Sequence, residues 1–133
     1  MEKDKGLIGN EKIVNNIKKL KADMTDENLA ILLTTLRKRA LDGGQFVVAV
    51  DANGGDNLAL KTANMNGKKW FISYTDFDEE LKGNLDVMSG FLADMDKTFD
   101  MALMDDSIAG IILNPYGESF ALNKQLISVI KGL

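Results

Sequence analysis

The chain has 133 residues, is 45% hydrophobic and 27% charged, carries a formal net charge of −4, and contains neither cysteine nor histidine. That length suits one domain whose core needs no covalent staple. The missing residue types exclude disulfides, Cys/His zinc sites and every nucleophile–histidine pair, and the acidic balance argues against nucleic acid as a partner.

Residues 1–10 are polar and glycine-punctuated, and are expected to be a flexible lead-in to a single domain over 11–133. Met1 to Lys12 has no apolar run of the signal-peptide kind, and no stretch approaches the roughly 18 apolar residues of a membrane span, so a cytoplasmic location without membrane contact is expected. Ile13, Val14, Ile17 and Leu20 recur at helical spacing. Thr25 is the expected cap of a second helix, with Asp26 and Glu27 in its first turn, Leu29, Leu32, Leu33, Leu36 and Ala40 as its buried stripe, and Gly43-Gly44 as its stop. Phe46 to Val50 is apolar at every position, the pattern of a central strand covered on both faces. Leu58–Met65 and Lys68–Tyr74 read as strands joined by an Asn66-Gly67 hairpin, with Trp70, Ile72 and Tyr74 on one face and Lys69, Phe71 and Ser73 on the other.

Thr75 to Leu81 reads as a capped short helix, since Asp76 and Glu79 approximate a capping box. Asn84–Phe91 is expected to hold a short strand. Met95, Phe99, Ala102 and Leu103 make a further helical stripe, capped by Asp94 or Asp96. Ile108–Leu113 is a second apolar strand. Asn114-Pro115-Tyr116-Gly117 has the preferences of a type I turn; Gly117 is expected to take positive φ in a closing bulge, pairing 108–113 antiparallel with 119–122. A last helix buries Leu126, Ile127 and Ile130 and stops at Gly132. The pattern predicts a single-domain α/β or α+β fold with a mixed β-sheet of about five strands flanked by helices.

Several apparent chemical motifs read as structure. Asp51-Ala52-Asn53-Gly54-Gly55-Asp56 superficially matches a calcium loop, but Asp56 stands where glycine is required and Thr62 where a bidentate glutamate is required. Gly43-Gly44 and Gly54-Gly55 fit no phosphate-binding loop. Ser128-Val129-Ile130-Lys131 spells S-x-x-K, but lies on the terminal amphipathic helix without companion motifs. Lys12, Lys18, Lys19 and Lys21, like Arg37, Lys38 and Arg39, alternate with apolar residues at helical spacing and read as solvated faces. Asp76, Asp78, Glu79, Glu80, Asp94, Asp96, Asp100, Asp105 and Asp106 mostly fall at helix starts, where carboxylates act as solvated caps. Met88, Met95, Met101 and Met104 read as core filler rather than as an adaptable binding surface.

Two segments carry a family resemblance. Trp70-Phe71-Ile72-Ser73-Tyr74-Thr75-Asp76-Phe77-Asp78-Glu79-Glu80-Leu81 and Ala109-Gly110-Ile111-Ile112-Leu113-Asn114-Pro115-Tyr116-Gly117, the latter followed by Phe120, Leu122 and a closing helix, resemble the N-terminal domain of the bacterial enhanced-serine-sensitivity protein B (SseB) family, roughly over 28–131. The resemblance implies an α/β domain of bacterial cytoplasmic origin and brings no catalytic residues with it.

The expected function is therefore a non-enzymatic protein-interaction module without cofactor or metal. The alternative is a regulatory domain binding a small ligand such as an amino-acid-like metabolite. The candidate binding residues are Asn114, Tyr116 and Gly117, because an aromatic at a hairpin tip cannot easily reach its own core and tyrosine is favoured at interfaces.

Overall fold

The structure is a computed structural model and describes residues 5–51, 59–82 and 90–133. Among these, a 3₁₀ turn at Lys5–Leu7 leads to α1 (Glu11–Ala22) and α2 (Asp26–Leu41), then β1 (Gln45–Asp51), β2 (Ala59–Leu60), β3 (Thr62–Met65), β4 (Lys68–Ser73), α3 (Phe77–Leu81), β5 (Gly90–Asp94), α4 (Met95–Met104), β6 (Ile108–Leu113), β7 (Phe120–Asn123) and α5 (Lys124–Lys131). The fold is a single α+β domain. Met88 and all of the candidate calcium loop but Asp51 lie outside the described residues, as do 84–89 of the strand expected at 84–91. The strand that is described there starts at Gly90.

The expected single sheet is two. An antiparallel sheet runs β2-β1-β5, and a mixed sheet runs β3-β4-β6-β7 with β4 and β6 parallel. The reason lies in Lys61, which interrupts the strand expected over 58–65. Its N–H donates to Ala49 O (2.9 Å) in one sheet and its carbonyl accepts from Ile72 N (3.2 Å) in the other. The sheets are stitched a second time where Val47 and Tyr74 exchange two hydrogen bonds of 2.8 Å.

Alternation along the strands sets the layers. Phe46, Val48, Phe71, Ile111 and Leu113 face α1, α2, α4 and α5 in the main core, with Ile13, Ile17, Leu32, Leu36, Phe99, Ile127 and Ile130. Phe46 and Phe99 meet edge to face at 5.8 Å. Val47, Ile72 and Tyr74 face the other way, under Leu7 and Phe77. Asn66 and Gly67 both take positive φ in the tight β3–β4 hairpin. Gly110 lies where the β4–β6 register slips between Lys69 and Phe71; a Cβ there would stand 2.0 Å from Leu122 O and 2.8 Å from the Trp70 ring.

Residues 5–10 depart from the expected flexible lead-in. Asn10 is buried, and its Nδ2 donates to Gln45 O (2.8 Å) and Thr75 O (3.0 Å). That commitment explains why Asn10 makes no side-chain cap on α1, although Asn is a favoured cap. Arg39 leaves the solvated basic face to hold this segment, donating from Nε to Asn10 Oδ1 (3.0 Å) and from Nη2 to Gly6 O (2.8 Å). Thr25 and Asn123 cap α2 and α5 through the N–H groups of Asn28 and Leu126.

Candidate interaction site

The parallel strands β4 and β6 end side by side, and the three candidate residues follow the end of β6. The backbone places them together, yet their side chains have separate roles. Asn114 is 0% exposed and itself takes the left-handed conformation, with φ +49°. Asparagine tolerates that region because its short amide finds a local partner. Here the partner is Thr75, at the end of β4: Asn114 Oδ1 accepts from Thr75 N (2.9 Å), and Asn114 Nδ2 donates to Thr75 Oγ1 (3.0 Å). Asn114 N also donates to Ser73 O (2.9 Å). Thr75 is thus clamped between Asn114 and Asn10. It is not the helix cap; Asp76 caps α3 by accepting from Glu79 N (2.8 Å).

The expected turn is present, closed by Gly117 N donating to Asn114 O (3.0 Å), and β6 pairs antiparallel with β7 from Leu113–Phe120 to Gly110–Asn123. The positive φ expected at Gly117 falls on Asn114 instead. Gly117 lies close to the ends of two side chains, Glu79 Oε1 and Lys82 Nζ, which a Cβ there would displace. Tyr116, between them, is 49% exposed.

Two carboxylates of α3 correct the solvated-cap reading; Glu79 lies against the turn at Gly117, and Glu80 faces Gly90 of β5. Glu79 and Glu80 are both buried, although they occupy the first turn of α3. Lys82 pairs with Glu79 Oε2, and that hydrogen bond raises the lysine's pKa above its ordinary value. Burial pushes the Glu80 carboxyl upward, with Lys61 pulling partly against it. Glu79 Oε1, Glu80 Oε2 and the Ser73 hydroxyl have no hydrogen-bond partner among the described residues. Tyr74 is pushed up to about 12 by burial first, then by Tyr116 and Glu80. At neutral pH the turn therefore presents an exposed aromatic ring over a neutral phenol and a lysine-paired carboxylate.

The other predicted acids are divided. Asp96 and Asp100 both bind Lys131 Nζ, at 2.5 and 2.9 Å, which joins α4 to α5 and occupies the lysine of the S-x-x-K match. Asp94 makes no side-chain cap on α4 and instead accepts from Gln45 Nε2 at 3.0 Å. Of the methionines, Met95 is core, as expected. Met101 and Met104 are not: they are 46% and 82% exposed and flank an open depression of about 440 Å³ with Phe71, Asp105 and Asp106. Among the described residues no group of three or more carboxylates could hold a metal ion, and no helix is long and apolar enough to cross a membrane.

Sequence reasoning missed Asn10, Thr75, Glu79 and Glu80. A helix of five residues carries too short a pattern to show which face turns inward, and nothing local marks Asn10 as a bridge between distant strands. No known family, curated protein or solved structure matches this chain.

Proposed function

We propose that this domain is a protein-interaction module that presents Tyr116 to a partner. The observation that carries the reading is a half-exposed tyrosine on a turn fixed from below by the buried Asn114–Thr75 pair. Rigid presentation lowers the entropy lost on binding, and tyrosine supplies a large contact area with few rotatable bonds. The groups beneath the ring suit recognition better than proton transfer, because Tyr74 holds its proton up to about pH 12 and Glu79 is paired with Lys82. A bacterial cytoplasmic setting, which the SseB resemblance implies, belongs to the same proposal.

The test is affinity capture from bacterial lysate with the parent and Tyr116→Ala, alongside thermal melts of both. The variant should melt within about 2 °C of the parent, because it removes a surface side chain, and should lose the partner. Unchanged capture, or an unfolded variant, would refute Tyr116 as a contact.

A further inference from the structure

The depression at the start of β6 differs in character from the turn at its end. Its floor is Phe71, its apolar walls are Met101 and Met104 from the last turns of α4, and its polar rim is Asp105 and Asp106. Methionine is normally buried, and two exposed methionines side by side offer a flexible, polarisable surface that can repack against varied apolar partners. Ser107 donates to Asp105 Oδ1 from both its N–H (2.9 Å) and its hydroxyl (2.6 Å), which holds the carboxyl below its ordinary range and therefore ionised. Lys124 and Lys69 are the cations nearest Asp105, but Lys124 Nζ is bound to the Asp105 carbonyl (2.9 Å). Neither Asp105 nor Asp106 carboxylate is ion-paired among the described residues.

An apolar, adaptable floor beside two adjacent anionic groups is complementary to one chemistry: an amphipathic segment with large apolar side chains on one face and lysine or arginine at its margin. We propose that the Phe71–Met101–Met104 depression with its Asp105–Asp106 rim docks a basic amphipathic helix of a partner protein. This surface is distinct from the Tyr116 turn. Asp105 and Asp106 precede β6 and Tyr116 follows it, while Phe71 pairs with Ile111 within the strand.

The experiment uses fluorescein-labelled helical peptides of defined composition and reads anisotropy at low and high salt. A Leu/Lys amphipathic peptide should bind the parent, and a Leu/Glu peptide of the same pattern should bind at least about tenfold more weakly. A Ser/Lys peptide, with the charge but no apolar face, should also fall by about tenfold or more. Met101→Ser with Met104→Ser, and separately Asp105→Asn with Asp106→Asn, should each weaken Leu/Lys binding by a similar factor. Far-UV melts of the methionine double variant should match the parent, because both side chains are exposed, and the acid double variant should stay folded, because asparagine at 105 keeps an Oδ1 acceptor for Ser107. Tyr116→Ala should leave peptide binding unchanged, so this surface and the Tyr116 contact stand or fall separately. The proposal is overturned if the Leu/Lys peptide fails to bind, if either double variant binds like the parent, or if the Ser/Lys peptide binds as well as Leu/Lys. Concentration-dependent self-association abolished by the methionine pair would also overturn it, since a second copy would then be the occupant.

Discussion

Replacing Asn114 with alanine tests the junction of the two parallel strands, because one side chain serves both backbone conformation and hydrogen bonding there. The substitution leaves Thr75 N–H buried without its acceptor, at 2.9 Å in the parent, and removes the donor to Thr75 Oγ1. An orphaned buried donor costs about 1–3 kcal/mol. Alanine must also hold φ near +49° without the local amide bond that makes the region tolerable, which adds about 1–2 kcal/mol. Together these give about 2–5 kcal/mol, or a fall in Tm of roughly 8–20 °C for a chain of this size. Asn114→Gly loses the same hydrogen bonds but not the conformational term, so it should be more stable than Asn114→Ala by about 1 kcal/mol. Urea denaturation with linear extrapolation measures both differences. A loss below about 0.5 kcal/mol for Asn114→Ala, or a glycine variant no better than alanine, would refute the lock.

Gly110→Ala should cost about 1–3 kcal/mol in the same assay, because the new methyl meets the Leu122 carbonyl and the Trp70 ring; a neutral result would mean that the β6–β7 spacing is looser than described. Burial raises the folded-state pKa of Glu80, so its stabilising protonated state is complete below the unfolded value of 4.5 and is lost as pH climbs through the folded value. Glu80→Gln should therefore melt higher than the parent at neutral pH and lose that advantage towards pH 4.5, whereas a gain independent of pH would exclude burial of the charge as its cause. In Tyr116→Phe the remaining tyrosine is Tyr74, and because burial, the largest cause of its raised pKa, is untouched, its tyrosinate absorbance should still develop above the ordinary value of 10. Development near pH 10, with far-UV ellipticity unchanged, would contradict its burial.

The parts of the fold legible in the sequence are those specified by local chemistry. Asn66-Gly67 needs only its own φ angles, Thr25 only the amide three residues on, and the apolar runs at 46–50 and 108–113 only their lack of a polar face. Val48 and Ile111 are indeed buried in the core. The split of one sheet into two was not legible. Lys61 differs from its neighbours only in bonding to two sheets at once, and that follows from the placement of Ala49 and Ile72 in space. The same holds at the candidate site. The turn residues announced a turn, but whether Asn114 or Gly117 took positive φ depended on Thr75, a contact 39 residues distant in sequence.

Exposure was misread in both directions for one reason. Glu79 and Glu80 looked solvated and are buried, while Met101 and Met104 looked buried and are exposed. Residue type predicts burial only where a periodic stripe shows which face turns inward. On α4 the stripe is Met95, Phe99 and Ala102, and Met101 and Met104 fall outside it. Those methionines lie outside the core and leave apolar area exposed beside Asp105 and Asp106. Glu79 and Glu80 invert the argument: each buries a carboxylate oxygen without a hydrogen-bond partner among the described residues, a cost that the pairing of Glu79 Oε2 with Lys82 offsets only in part. Buried carboxylates on α3 and exposed methionines on α4 both depart from what residue type alone suggests.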